Sequence, residues 1–474
     1  MKKYENMIEY CRGVIMDFKL EAKKYEKQFK EDLKELVKIP SVKDESTKSE
    51  NAPFGAACRA ALDKMMEIGR NAGFKVKDID GYACVIEYGD AEESIGILGH
   101  LDIVPIGDGW EHDPLGCEEV DGFMFGRGVL DDKGPVIAGL TAMRILKDNN
   151  IQLSKKIQLI CGCDEESGMQ CMQYYCEHEK LPELSFTPDA NFPVIYGEKG
   201  ITCLVLKANM KTPILSIKAG ERMNVVIGKA TAQVKEFKYE KEFDFYLKSN
   251  GLTGSVTQFD EYTELHIDGV SAHASLPWYG VNAGLHLTNF IGCVYGLDDL
   301  VKLSQMLFDY RGNKTQIGVE GAYMGPLTSN VGIITVENDT LTFVLDIRYP
   351  NDTNGEKILK QMKKALAEAN LNVCVECPRD NEPLFLNPNS EFIQTLMNVY
   401  KEYSGDTFTP AMTMGGGTYA RKLPNCVAFG PEFPNPVQTT MNVGGPHTSN
   451  EAINIEEMMT SIAIYTAALE ALGK

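Results

Sequence analysis

No apolar run in this 474-residue chain approaches the roughly 18 residues that a bilayer-spanning helix needs, which argues against a membrane role. The first stretch, MKKYENMIEYCRGVIMDFKLEAKKYEKQFK, lacks the continuous apolar segment and small-residue cleavage site of a secretory signal. It reads as an amphipathic helix, and a cytoplasmic location is expected. Basic residues are in short supply too. The 47 Lys and Arg stand against 67 Asp and Glu, a formal charge of −20, which argues against nucleic-acid binding, since that needs a basic face to neutralise phosphates. Cysteines number thirteen, an odd count spread thinly over a long chain, so a disulfide framework is not expected and reduced thiols are. No short-period repeat or low-complexity tract is visible, which argues against a solenoid.

What is present has the balance of a soluble globular protein, 43% hydrophobic and 24% charged. Single cores stop growing near 250–300 residues, so two or three domains are expected. After a loop (IPSVKDESTKSENAPFG) the pattern predicts a helix over 56–72 and strands over 82–88 and 94–99. A helix over 135–148 follows, opened by Pro135, then the strand KIQLICGC and a helix over 169–179. Strand–helix alternation of this kind predicts an α/β domain with a mainly parallel sheet. From 201 to 385 the character changes to strand-like runs (ATAQVKEF, TELHIDGV, GIITV, LTFVLDIRYP) with helical patterns at 282–307 and 354–369. The α/β signature then resumes, with helices near 389–403 and 455–472. The expected architecture is therefore a catalytic domain in two parts, 1–200 and 386–474, interrupted by an inserted α+β lid domain, 201–385.

Chemistry concentrates where apolar strands end. SIGILGHLD delivers His100 and Asp102 to the C-terminal edge of a sheet, where open α/β folds place their ligands. Residues two apart on a strand share a side, so Asp102 can accept the second ring N–H of His100 and fix its tautomer. A solvated loop could carry the same pair. GRGVLDDKGP sets Asp131 and Asp132 before a helix; one carboxylate would suffice to cap it, and the second is surplus. In CDEESG, Glu165 and Glu166 are adjacent, one able to bind metal while its neighbour acts as a base; an acidic turn is the plainer alternative. Asp189 and His447 lie in Pro- and Gly-rich turns. Together these supply two imidazoles and three carboxylates, a set suited to zinc, manganese or cobalt. CVEC, 374–377, has metal-like spacing without a second pair and reads as a strand, and His112, His178, His266 and His286 have no partner pattern. The cysteine-rich CGC before DEESG bears on sensitivity to oxidation.

Taken in order, HLDIVPIGDGWEHDPLG, GRGVLDDKGP, CDEESG, TPDANFPVIYGEKG, VSAHAS and GGPHTSNEAI resemble the PepV-type dipeptidases of the co-catalytic zinc peptidase superfamily, which includes carboxypeptidase G, succinyl-diaminopimelate desuccinylase and the carnosinases. The resemblance implies His100, Asp131, Glu166, Asp189 and His447 as ligands of two divalent ions, with Asp131 bridging. It implies Glu165 as general base, Asp102 as partner of His100, and a cis peptide between Asp131 and Asp132. It further implies that the insertion is a lid, with His273 polarising the scissile carbonyl and Asn224 and Arg348 contacting substrate. The GGGTYAR loop, with Gly416 and Gly417, looks like a backbone nest for a carboxylate, or a simple tight turn.

The function expected is hydrolysis of short unblocked peptides, dipeptides above all, by a monomer. Its rivals are an N-acyl amino acid deacylase or carboxypeptidase of the same superfamily, which the ligands do not discriminate, and a non-catalytic metal-binding protein, against which Glu165 speaks because ligation does not require it.

Overall fold

A computed structural model describes residues 16–474. The helix expected at the start of the chain lies partly outside them; from residue 16 onward the structure has two short helices, Phe18–Lys24 and Glu26–Val37. The chain forms two compact units. The first runs through Tyr196 and resumes as Leu386–Met412 and Gly417–Lys474, and the second is Gly197–Phe385 with Thr413–Gly416. The return of Thr413–Gly416 to the second unit has no counterpart in the sequence pattern.

The first unit is built on a mixed sheet in the order Lys75–Ile79, Ala83–Tyr88, Lys156–Gly162, Ser94–His100, Leu184–Thr187, Cys426–Ala428, Ile195–Glu198. The four strands from Lys156–Gly162 to Cys426–Ala428 are mutually parallel, and the flanking pairs are antiparallel. Every residue of Ser94–His100 is buried, as befits a strand covered on both faces. Helices Lys133–Asp148 and Ile455–Gly473 contact it, and Ala56–Asn71 and Gln170–His178 lie against Ala83–Tyr88. Ile455–Gly473 is apolar nearly all round because it is buried nearly all round.

The helix expected to open at Pro135 begins two residues earlier, at Lys133, with Pro135 as its third residue. The first four N–H groups of a helix have no intrahelical acceptor, so a proline is tolerated there as well as at the first position. Gly99 faces the start of this helix; a Cβ on it would meet Val136 at 2.3 Å and Asp132 Oδ2 at 2.7 Å. The missing side chain is what lets the strand end lie against Asp132.

The second unit is an eight-stranded sheet, Thr253–Gln258, Thr263–Asp268, Lys229–Val234, Ile214–Ala219, Thr328–Glu337, Thr340–Tyr349, Gly200–Asn209, Val373–Asn381, antiparallel throughout. In Thr263–Asp268 buried and half-buried residues alternate strictly, the mark of a sheet with one covered face. One apolar core joins Leu265, Ile267 and Phe343 to helix residues Leu287, Phe290, Leu303 and Met362. The single helical pattern over 282–307 is two helices, Ala283–Tyr295 and Asp298–Leu307, because Gly296 takes a left-handed φ of 67° and ends the first. A helix at Glu240–Asn250 escaped the sequence pattern: only Phe243 and Leu247 are buried, too narrow a stripe to register. CVEC lies on the strand Val373–Asn381, with Cys374 exposed and Cys377 partly so.

Among the described cysteines none is disulfide-bonded. In the first unit Cys58, Cys84, Cys117, Cys161, Cys163, Cys171 and Cys426 are buried, whereas Cys293 and Cys374 of the second are exposed. Burial drives the Cys161 and Cys163 thiols well above their ordinary pKa, so the CGC segment is protected from oxidation and not sensitised to it.

Candidate active site

Three of the parallel strands end on one edge and release their polar residues together. His100 closes Ser94–His100, Glu165 and Glu166 follow Lys156–Gly162 in a turn, and Asp189 follows Leu184–Thr187; His100 is paired in register with Gly162. Asp131 enters from the loop before Lys133–Asp148, and His447 from the loop before Ile455–Gly473, with a left-handed φ of 62°.

The structure brings all five candidate ligands together around Asp131. His100 Nε2 lies 2.9 Å from Asp131 Oδ1, and His447 Nε2 lies 3.0 Å from Asp131 Oδ2, so each carboxylate oxygen meets a different imidazole. On the His447 side Glu166 Oε1 is 3.0 Å from Nε2, and on the His100 side Asp189 Oδ1 is 4.0 Å from Nε2. Two overlapping donor groups result, His100 with Asp131 and Glu166, and His100 with Glu165 and Asp189. Hard carboxylate oxygens joined by imidazole nitrogens fit divalent cations.

The electrostatics say the same. Burial, then the neighbouring Asp189, pushes the Glu165 carboxyl well above its ordinary range. Burial and then Asp131 do likewise to Asp189. Burial works against charge on Asp131 as well, but its contacts with His100 and His447 hold that carboxyl below the usual range. His447 is raised to about 10 by Asp131 and Glu166. Among the described residues the imidazoles are the cations that meet these carboxylates, too little positive charge for so many acids in one place.

His100 is held from behind: its Nδ1 lies 2.9 Å from the backbone carbonyl of Asp102 and 3.4 Å from Asp102 Oδ1. With Nδ1–H donated to the carbonyl, Nε2 is left free to bind a cation. The Asp102 carboxylate also accepts the backbone N–H of Glu165 at 3.2 Å and of Glu166 at 3.1 Å, tying the two acids to the strand end. Sequence reasoning assigned Asp102 to the His100 ring alone.

Two residues have positioning roles that the sequence did not reveal. Asp132 caps no helix N–H; its Oδ2 accepts the backbone N–H of His100 at 3.1 Å, across a cis Asp131–Asp132 peptide. Glu451 is fully buried, and one of its oxygens accepts the N–H groups of Gly128, Leu130 and Asp131 at 3.0, 2.9 and 3.1 Å. Its other oxygen accepts Arg127 Nη1 at 2.6 Å. The acid in NEAIN, four residues after His447, was the available signal, but its targets are backbone groups more than 300 residues away.

In the second unit, Asn224 and His273 sit side by side. Val225 bridges His273, and Ala274 N–H donates to Asn224 O at 2.9 Å. His273 Nδ1 accepts the Ser275 N–H at 3.3 Å and contacts Ser275 Oγ at 2.6 Å, which leaves Nε2 to carry the ring proton. Arg348 is buried and clamped: Nε and Nη2 donate to Asp346 at 2.7 and 3.1 Å, and Nη1 donates to Gly415 O at 2.5 Å. None of Gly415, Gly416 and Gly417 takes a positive φ, so the loop lacks the alternation of hand that makes a nest. Gly417 is required for another reason, since a Cβ there would strike the Arg421 guanidinium at 2.1 Å.

Residues 96–471 match the family described as Peptidase family M20/M25/M40. A protein of Staphylococcus epidermidis, named provisionally as a dipeptidase, is 36% identical over 466 residues, covering 94% of this chain and 97% of its own. Among solved structures, human carnosine dipeptidase 1 superposes with a TM-score of 0.59 at 15% identity, over 96% of this chain and 98% of that one. The dipeptidase Dug1p from Saccharomyces cerevisiae gives the same score, identity and coverage, and both show the shared fold. By the extent of the family match and of the full-length relative, this chain belongs to the M20/M25/M40 peptidases and is a metal-dependent hydrolase of peptide bonds.

Proposed function

We propose that this enzyme is a dipeptidase whose first unit holds two divalent ions, zinc or else manganese or cobalt, with Asp131 between them. His100 and Asp189 would complete one site, and His447 and Glu166 the other. The observation that carries this reading is the division of the Asp131 carboxylate, one oxygen to each histidine. When bound, such a pair polarises the scissile carbonyl and acidifies water.

Glu165 is the proposed general base. Its carboxyl is raised by burial and by Asp189, as suits a group that must take a proton from the attacking water and return it to the leaving amine. Asp102, through the two N–H groups it accepts, keeps Glu165 and Glu166 pointing to different tasks. His273, with its proton on Nε2, is the proposed donor to the developing oxyanion. Arg348, with Asn224, is proposed to take the substrate carboxylate. We further propose a cytoplasmic monomer that acts on small peptides without nucleic-acid or membrane partners, to be checked by fractionation and sedimentation.

If both termini of the substrate are held, a third residue displaces one charged end by about 3.3–3.6 Å and strands polar groups without partners. A site built on such pairings discriminates by about 10⁴-fold. The test is a hydrolysis screen with zinc, manganese and cobalt. Unblocked dipeptides should be cleaved far faster than tripeptides or N-acyl amino acids. Fastest turnover of N-acyl amino acids would establish a deacylase instead, and removal of single C-terminal residues from longer peptides a carboxypeptidase.

A further inference from the structure

Beside the metal-binding residues the first unit has a cavity of about 340 Å³, at the lower end of the roughly 300–1,000 Å³ typical of small-molecule sites. Its apolar wall is made by Leu130, Phe433, Val437, Met441 and Val443, and Glu432 faces into it. Leu130 precedes Asp131, Gly445 on the same wall lies two residues before His447, and the strand Pro431–Glu432 pairs with Ala190–Asn191, directly after Asp189. Three chain segments that line the cavity thus run directly into candidate ligands.

Glu432 is the anomaly in it. The other acid on its wall, Glu457, accepts the Val437 N–H at 2.7 Å. Among the described residues the Glu432 carboxylate has no hydrogen-bond or ion-pair partner, and it belongs to neither donor group around Asp131. Burial, reinforced by Asp131, penalises its charge. A cation brought from outside would relieve that penalty.

We propose that this cavity receives the N-terminal residue of the substrate, Glu432 holding the free ammonium and the apolar wall an aliphatic or aromatic side chain. The proposal rests on the dipeptidase reading and adds a specificity to it. Peptides beginning with Leu, Met or Phe are preferred to those beginning with Gly, and those beginning with Asp or Glu are poor, since their side chain adds a carboxylate beside Glu432 and Glu457. A blocked amine loses the Glu432 contact.

The experiment compares Leu-Ala, N-acetyl-Leu-Ala, Lys-Ala and Asp-Ala on the metal-loaded enzyme and on Glu432→Gln, with metal content and melting temperature recorded for both. Glu432→Gln should raise KM for Leu-Ala by about tenfold to a hundredfold with kcat little changed, the worth of a charge-assisted bond. It should also narrow the preference for the free over the acetylated amine and improve Asp-Ala relative to Leu-Ala. A folded, metal-replete variant with KM and the free-to-acetylated ratio unchanged overturns the proposal. So does loss confined to Lys-Ala, which would make Glu432 a side-chain selector, or loss of metal, which would make it a ligand. Should Glu432→Gln fail to fold, Val437→Asp, at a position 45% exposed, takes its place. It should shift preference about tenfold from Leu-Ala to Lys-Ala, and no shift would remove this cavity from the substrate's path. Wild-type enzyme that cleaves none of the dipeptides sinks the dipeptidase reading itself, before any variant is made.

Discussion

The two units carry candidate functional groups in opposite ways. In the first, each group is braced by another: Asp131 by two imidazoles, His100 by Asp102 and Asp132, the 128–131 backbone by Glu451. In the second, Arg348 is fixed by Asp346 and Gly415, while His273 is an exposed side chain whose ring meets Ser275. Cations demand fixed donors, because coordination tolerates little displacement. A group that meets a substrate which comes and goes can be held more loosely. If that contrast is right, damage to the first unit should act through the metal and through stability, and damage to the second through kinetic constants alone.

The strongest way to break the contrast is chelation. Stripping divalent ions should abolish turnover, and returning them should restore it; full activity in a preparation shown by elemental analysis to be metal-free would end the reading. Glu165→Gln keeps shape and charge partners nearby but removes the base. Turnover should fall by about 10²–10⁴-fold, about 3–5.5 kcal/mol of barrier, with metal content unaltered. A variant within a few fold of the parent excludes Glu165 as the base.

Glu451→Ala attacks the bracing itself. It leaves the buried Arg127 Nη1 and three N–H groups without their acceptor, a loss of about 3–5 kcal/mol, seen as a melting temperature lower by roughly 6–20 °C and as weaker metal retention. An unchanged melting curve would mean that the loop stands without it. His273→Ala, in the second unit, should leave melting and metal content alone and lower kcat by about 10²–10³-fold, about 2.7–4 kcal/mol, with KM nearly constant. A raised KM at unchanged kcat would reassign it to substrate positioning. Smallest of all, Asp346→Asn loosens the Arg348 clamp and should raise KM by about tenfold to a hundredfold, about 1.5–3 kcal/mol. If kcat falls instead, Arg348 acts in the transition state.

The same contrast explains what could be read from the sequence. His100, Glu165, Glu166 and Asp189 were legible because each follows an apolar strand, and strand ends in α/β folds point at ligands. Asp131 stood out as one carboxylate more than capping needs. Asp132, Glu451 and Glu432 were not legible, because their significance lies in which backbone or cavity they face, and that is decided by segments up to 324 residues apart. The central parallel strands could be read as buried runs, whereas Glu240–Asn250 could not be read as a helix because two buried side chains make no periodicity. The nest expected at Gly416 and Gly417 failed because a run of glycines permits a left-handed backbone without requiring one.

The uneven placement of the cysteines has a practical consequence. Seven thiols are sealed inside the first unit, and Cys293 and Cys374 lie open on the second. An alkylating reagent added to native enzyme will consume the open pair at once and the sealed ones only as fast as the first unit opens, so mass spectrometry of the labelled peptides becomes a clock for that opening. Run with and without added zinc, the clock reads how strongly the metal holds the first unit closed, from the protein's own atoms and without any substrate.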